Sequence, residues 1–342
     1  MERIGAAIIG CGAIYPLHAN AIKELDGAEL LAVVDKDKAK AEEAGAAYGC
    51  EALTDYRVIL ERSDIQVVHL CTPHDLHAEM AITCLKAGKH VLTEKPMAES
   101  QQAAYRMVET AEQSRGQLGV TFQNRYNDTS VRIRETINSG TLGKLLCMKG
   151  VVTWYRNDDY YRSSPWRGKW TSEGGGVLIN QTIHTLDLLQ WFGGPIASVK
   201  GSVTTDVLDQ VIEVEDTAHA CIDFTNGVRG LFYGTNAYLE NSPVELELVF
   251  EAGTLIQRRD SLYLWQHGVE TLLVEPATNP GGEKSYWGTS HQRLIADFYS
   301  HVREDKPFWL NGVEGIKAIE VIADIYRSAS TRQHPSPNLP MK

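Results

Sequence analysis

The stretch IGAAIIGCGAIYPLHA, Ile4 to Ala19, decides how the rest of the chain is read. Ala6 to Ile9 is a short apolar run, broken by Gly10-Cys11-Gly12 and followed by a segment that suits a helix. A buried strand, a tight glycine turn and a helix make the arrangement that binds a dinucleotide. Gly10 makes the bend, and Gly12 lets a pyrophosphate approach the backbone. The helix N-terminus beyond offers free N–H groups and a partial positive charge to that pyrophosphate. The third small-residue slot holds Tyr15, which must point away from the sheet or hold the helix off it. Pro16 gives up an N–H that has no partner inside the helix in any case.

Outward from there, Ala28 to Val34 is a second apolar run ending in Asp35, 23 positions after Gly12. That is close to the spacing at which an acid binds the ribose 2′-OH. Asp35 would repel a 2′-phosphate, so NAD is expected over NADP, with Lys36 arguing the other way. A helix is expected over Ala39–Ala47 and strands over Cys50–Leu53 and Ile65–Leu70. Pro73 in CTPHDLH (Cys71 to His77) stops the last of these, and His74-Asp75 opens a helix to about Lys86. His90 to Thr93 then runs into Glu94-Lys95-Pro96. Ligands of open α/β sheets sit beyond the carboxyl ends of the strands, and Lys95 stands there, held extended by Pro96 across a bond that can be cis. A surface lysine beside its glutamate is the structural alternative. A helix from Ser100 to Ser114 and a sixth strand, Gln117 to Gln123, complete a doubly wound parallel sheet over residues 1–124, a Rossmann domain.

After a linking helix (Asn127–Asn138) the pattern changes. A long strand, Leu145 to Tyr155, is followed by alternating strands near 198–204, 214–224, 229–237, 243–250 and 262–274. Residues 125–342 are therefore expected to form an α+β domain with a large, mostly antiparallel open sheet for substrate binding and oligomer contact. Two interruptions matter: the aromatic and arginine loop YYRSSPWRGKW (Tyr160 to Trp170), and a helix from Val177 to Phe192 after Gly174–Gly176. Helices near 290–303 and 313–330 close the chain.

A formal charge of −11 argues against nucleic acid or an anionic membrane as partner. No apolar run approaches a membrane span, and the first strand leaves no room for a signal peptide. The cysteines show no Cys-x-x-Cys spacing, so buried thiols in a reducing cytoplasm are expected, with no metal site.

Oxidising a secondary alcohol with a nicotinamide needs a C–H facing the ring, a proton acceptor, and something to stabilise the alkoxide. Lys95 is placed to supply the cation. GGGVLINQTIHTLDLLQWFGG (Gly174 to Gly194), read as one helix after its glycines, presents Asn180, His184 and Asp187 on roughly one face. His184 exchanges a proton near neutral pH, with Asp187 or Asn180 to orient it; a buried histidine that merely satisfies a carbonyl is the alternative. Arg156, Arg162 and Arg167 suit a carboxylate or diphosphate; exposed arginines on an aromatic loop are the alternative. Trp166 reads equally as substrate wall or core.

In this order, GCGAI with Asp35, CTPHDLH, EKP, GGGVLINQTIH with Asp187, DFYSHV and EGIKAIEVIADIYRSA, the chain resembles the Gfo/Idh/MocA oxidoreductases over essentially its whole length. The resemblance implies an NAD(P)-dependent enzyme acting on a CH–OH group of a polyol, sugar or nucleotide sugar, commonly a homodimer or homotetramer. It implies Lys95, His184 and Asn180 at the catalytic centre. Cofactor contacts are expected from Gly10, Gly12, Ala13, Ile14, Asp35, Lys36, Thr72, Pro73, His77, Glu94, Lys95, Trp166 and Arg167. Substrate contacts are expected from Lys95, Tyr160, Arg167, Asn180 and His184. Many relatives carry Asp where Asn180 stands and Gly where Thr182 stands. The Asn-Gln form is similar to a branch that oxidises UDP-linked uronic acids. A redox-assisted glycosidase holding NAD, and a non-enzymatic nucleotide sensor, remain as other readings. The substrate-selecting loops are expected at Tyr160–Trp170 and Asn279–Trp287.

Overall fold

The first six strands alternate with helices; the inner ones are short runs buried on both faces, whereas the edge strand Glu51–Leu53 is largely exposed. In a computed structural model that describes residues 3–276 and 290–331, these are β1 (Ile4–Ile9), α1 (Tyr15–Glu24), β2 (Ala28–Val34), α2 (Lys38–Tyr48), β3 (Glu51–Leu53), α3 (Arg57–Leu60), β4 (Val67–Leu70), α4 (His74–Lys86), β5 (His90–Glu94), α5 (Gln101–Glu112) and β6 (Leu118–Thr121). The strands pair in parallel in the order β3-β2-β1-β4-β5-β6. Side-chain caps start α2 (Asp37 accepts from Ala39 N–H) and α5 (Ser100 accepts from Ala103 N–H), while α1 has no side-chain cap. Strand order reverses between β1 and β4, so their carboxyl ends frame the crevice where α/β proteins bind ligands.

A 3₁₀ turn (Gln123–Tyr126) and α6 (Asp128–Ser139) lead to the second sheet. Its elements are β7 (Leu145–Thr153), α7 (Asp158–Arg162), α8 (Ile183–Gly193), β8 (Ile196–Thr204), β9 (Thr217–Phe224), β10 (Arg229–Thr235), β11 (Glu245–Phe250), β12 (Gly253–Arg258), β13 (Ser261–Gln266) and β14 (Val269–Val274). The order is β14-β13-β12-β11-β7-β10-β9-β8, antiparallel except between β7 and β10. α8 lies across one face, and Gly150 permits it: a Cβ there would stand 2.6 Å from a Thr185 carbon. The other face is open and carries Leu231, Tyr233 and Trp265.

Three expectations change. The strand expected over 262–274 is a hairpin, β13 and β14, turning at His267 and Gly268, both with positive φ; β12 was not anticipated. α8 begins at Ile183 instead of Val177, because the Glu215 carboxylate accepts the Gly176 and Leu178 N–H groups and holds 176–182 as turns. Cys147 is exposed, since its position in β7 faces the open side; Cys11, Cys71 and Cys84 are buried as expected. The expected loop Asn279–Trp287 lies outside the described residues.

α9 (Ser290–Arg303) packs on α1, and α10 (Gly312–Thr331) lies between α5 and β8. Between them the chain adds a bridge to the first sheet, Val120 N–H donating to Leu310 O (3.1 Å). The C-terminal helices thus clamp the two sheets together. Among the described residues no helix is long and apolar enough to cross a membrane.

Candidate active site

The cofactor end is built on the β1–α1 turn. Gly10 has φ +100, and a Cβ there would lie 2.5 Å from Cys71 O; at Gly12 a Cβ would meet nothing within 4 Å, leaving space over the open helix N-terminus. Ala13 is exposed and Ile14 half-buried along the same opening. Tyr15 stays clear of the sheet by packing edge-on against Tyr48, ring centroids 6.0 Å apart. Asp35 ends β2 and accepts from Cys11 N–H and Asp37 N–H, both at 2.9 Å, fixing its carboxylate beside the glycine turn; Lys36 is exposed next to it. Thr72 Oγ1 is buried with no partner among the described residues. An open turn, a placed acid and an orphaned hydroxyl fit a bound NAD.

His77, expected at the cofactor, presents no exposed surface for one. It is fully buried, and its ring nitrogens face Pro96 O (2.7 Å) and Thr72 O (2.8 Å). It ties the Thr72-Pro73 turn to the cis Lys95–Pro96 peptide instead.

Glu94 is also turned inward, into a buried hydrogen-bond chain. Tyr299 O–H donates to His69 Nε2 (2.9 Å), His69 Nδ1–H to His18 Nδ1 (2.8 Å), and His18 Nε2–H to Glu94 Oε1 (2.9 Å). This polarity leaves each histidine neutral and every member of the chain satisfied. Burial pushes the Glu94 carboxyl up, but the His18 and His291 rings outweigh it and hold it well below the usual range. His18, Glu94 and His291 bring ligand atoms within 4.8 Å of one another.

Next to Glu94, Lys95 Nζ donates to the backbone oxygen of Asn180 (2.8 Å), linking the two sheets across the crevice. Burial pushes the Lys95 ammonium down to about 8; Glu94 and Glu173 pull it back up, and Arg167 and Arg156 push it down further.

The second sheet presents His184 from the first turn of α8, edge-on to Phe122 (5.9 Å). Burial, and then the Lys95 charge, hold its pKa well below the ordinary value, so the ring is neutral. Neither expected partner orients it. Asp187 is fully buried and chelates Arg125 (2.7 and 2.9 Å), which also meets Glu314 and two tryptophans. Asn180 precedes the helix, and its amide donates to Glu173 Oε1 (2.5 Å). The neighbour that sequence reasoning missed is Gln123, at the carboxyl end of β6, with Nε2 3.3 Å from His184 Nε2. Neither Gln123 Oε1 nor His184 Nδ1 has a partner among the described residues. Turning the Gln123 amide over lets its oxygen accept from His184 Nε2–H and leaves Nδ1 as an open acceptor. The rule that pointed to Lys95, position at a strand's carboxyl end, was also the signal for Gln123.

The arginine loop closes the crevice. Trp166 packs on His74 of α4 (4.7 Å). Tyr160 carries the Arg167 guanidinium at 4.1 Å and that of Arg156 at 5.0 Å from its ring centroid. The Nε groups of both arginines are buried without a partner among the described residues. Arg162 does not join them; it is exposed and pairs with Asp158 one helical turn away. Glu173, also missed, was signalled by an acid directly before the glycine run.

This is the constellation of a Rossmann-fold dehydrogenase, and comparison with known proteins fixes its class. Residues 4–122 match the oxidoreductase family with NAD-binding Rossmann fold, and residues 130–256 match the Gfo/Idh/MocA C-terminal domain. The chain belongs to the Gfo/Idh/MocA family and is an NAD-linked oxidoreductase. Myo-inositol 2-dehydrogenase of Thermotoga maritima is 29% identical, over 93% of each chain. Inositol 2-dehydrogenase of Rubrobacter xylanophilus is 34% identical over 56% of this chain, a match spanning about half (52%) of that relative. The WlbA dehydrogenase from Bordetella pertussis, solved in complex with NADH and UDP-GlcNAcA, superimposes with a TM-score of 0.83 at 29% identity, covering 96% of this chain and 97% of that one.

Proposed function

We propose that the protein oxidises a secondary carbinol of a sugar derivative carrying an anionic arm, a UDP-linked uronate being the specific candidate. The observation that carries this is the pair Arg156 and Arg167, with buried, unpartnered Nε donors on the Tyr160 ring beside Lys95. Buried guanidinium donors without a partner are costly unless a ligand completes them, and carboxylate or diphosphate matches their geometry. The likeness to a dehydrogenase crystallised with UDP-GlcNAcA supports the reading. Gly10, Gly12, Asp35 and Thr72 hold NAD, which supplies the hydride acceptor. His184, neutral through burial, takes the hydroxyl proton. Lys95, as ammonium, stabilises the alkoxide that forms. Residues 1–124 serve as the cofactor unit and 125–342 as the substrate unit. The open sheet face with Leu231, Tyr233 and Trp265 pairs with a second copy, giving a homodimer or homotetramer. Six unpaired thiols favour a reducing, cytoplasmic setting.

The test is nicotinamide absorbance with NAD and NADP over inositols, aldoses, sugar acids, UDP-sugars and UDP-uronates. Turnover of the uronates with NAD is expected. Turnover of free polyols alone would return the arginines to a structural role and favour the inositol reading that the relatives' names suggest. Aglycone release from a chromogenic glycoside without added NAD would instead establish the glycosidase.

A further inference from the structure

One residue bridges Lys95 to a second buried acid. Asn180 takes the Lys95 ammonium on its backbone oxygen (2.8 Å) and gives its side-chain amide to Glu173 Oε1 (2.5 Å). Glu173 Oε2 accepts the Gly168 N–H (2.5 Å), so the same carboxylate anchors the arginine loop. Glu173 is 1% exposed, and its oxygens accept from amides, not from a contacting cation. A charge so placed is expensive to bury unless a nearby cation compensates it.

We propose that Glu173 is a positioning residue for the reaction: across Asn180 it supplies a second buried negative charge, beside that of Glu94, that holds Lys95 in its ammonium form against the bridge, a charge the Asn180 amide cannot carry. This rests on the catalytic reading of Lys95.

Lys95 faces Glu94 and Glu173 on the favourable side and Arg167 and Arg156 on the unfavourable side, with His184 beside it. Glu173 faces Lys95, Arg167 and the carboxylate of Glu215, and its charge also falls on Tyr161 and Tyr326. Burial pushes Glu173 up to about 7 and Lys95 down to about 8. Ionised Glu173 favours the ammonium. Without that charge, Lys95 releases its proton at lower pH.

The test needs no substrate. Lys95 is half-buried, and of its two forms only the neutral amine reacts with a small acylating reagent. Brief acetic anhydride labelling across a pH series, quantified by mass spectrometry of the Lys95 peptide, should give a midpoint near 8. Glu173→Gln should lower it by about one pH unit, with thermal midpoint and NADH binding unchanged. The double variant Glu173→Gln/Asn180→Asp moves the carboxylate one partner along the same bridge, where the new amide donates to it, and should restore the native midpoint. An unmoved midpoint in the single variant, or no restoration in the double, overturns the proposal. In the native protein a buried carboxyl infrared band should titrate near 7; its absence overturns the proposal without any variant. If Lys95→Ala retains turnover, the catalytic reading itself falls, whatever the labelling shows.

Discussion

Two clusters of polar side chains at the crevice are treated in opposite ways. On the first-sheet wall, Tyr299, His69, His18 and Glu94 form a closed chain in which every proton has a receiver. On the loop wall, Arg156 and Arg167 stack on Tyr160 with donors left over. A satisfied network is rigid and holds the reacting end in a fixed arrangement. An unsatisfied one is a site waiting for a ligand to complete it. Position and chemistry are built in on one side, and recognition is left to the substrate on the other.

The largest effects are expected at Lys95 and at the buried Asp187–Arg125 pair. Lys95→Ala should lower kcat about 10³-fold by removing the alkoxide's cation, with NADH affinity measured by fluorescence titration nearly unchanged. Equal loss of both would make Lys95 a cofactor residue. Asp187→Ala strips fully buried Arg125 of its bidentate partner and should cost about 3–5 kcal/mol in urea unfolding. A loss below about 1 kcal/mol would show that Glu314 and the tryptophans hold Arg125 on their own.

Smaller effects sharpen the contrast. Gln123→Leu removes the hydrogen bond that orients His184 and should lower kcat roughly 10-fold, with KM little changed. An unaltered kcat would leave His184 to orient itself against Phe122. The pH profile of oxidation should be a bell. Its acid limb lies below 6.5, where His184, whose pKa burial depresses, gains a proton and stops accepting one. Its alkaline limb lies near 8, where Lys95 loses the charge that stabilises the alkoxide. A profile still rising above pH 9 would contradict the role given to Lys95.

Most of the parallel sheet was legible because its information is local: apolar runs, Gly10 and Gly12, and Pro96 marking the end of β5. Lys95 and Asp35 were found by the same logic, from their places at strand ends. What stayed hidden depends on contacts distant in sequence. Asp187 looked like a partner for His184 by helical spacing, yet Arg125, 62 positions earlier, claims it. Glu215 reshapes 176–182 from the connection between β8 and β9 and cancels the face that would have carried Asn180. His77 was placed at the cofactor by the resemblance, while the carbonyls of Pro96 and Thr72 that surround it come from contacts a first-turn histidine does not announce. The turn splitting β13 from β14 contains His267 at positive φ, a conformation its side chain does not announce.

The central claim is that the open arginines select an anionic sugar. It is tested most directly by kcat/KM with NAD for a UDP-linked uronate against the matched neutral UDP-sugar, in the native enzyme and in Arg167→Met. The account predicts a preference for the uronate of about 100-fold or more, most of it lost in the variant through KM. Equal kcat/KM for the two sugars in the native enzyme, or a preference untouched by Arg167→Met, would contradict it.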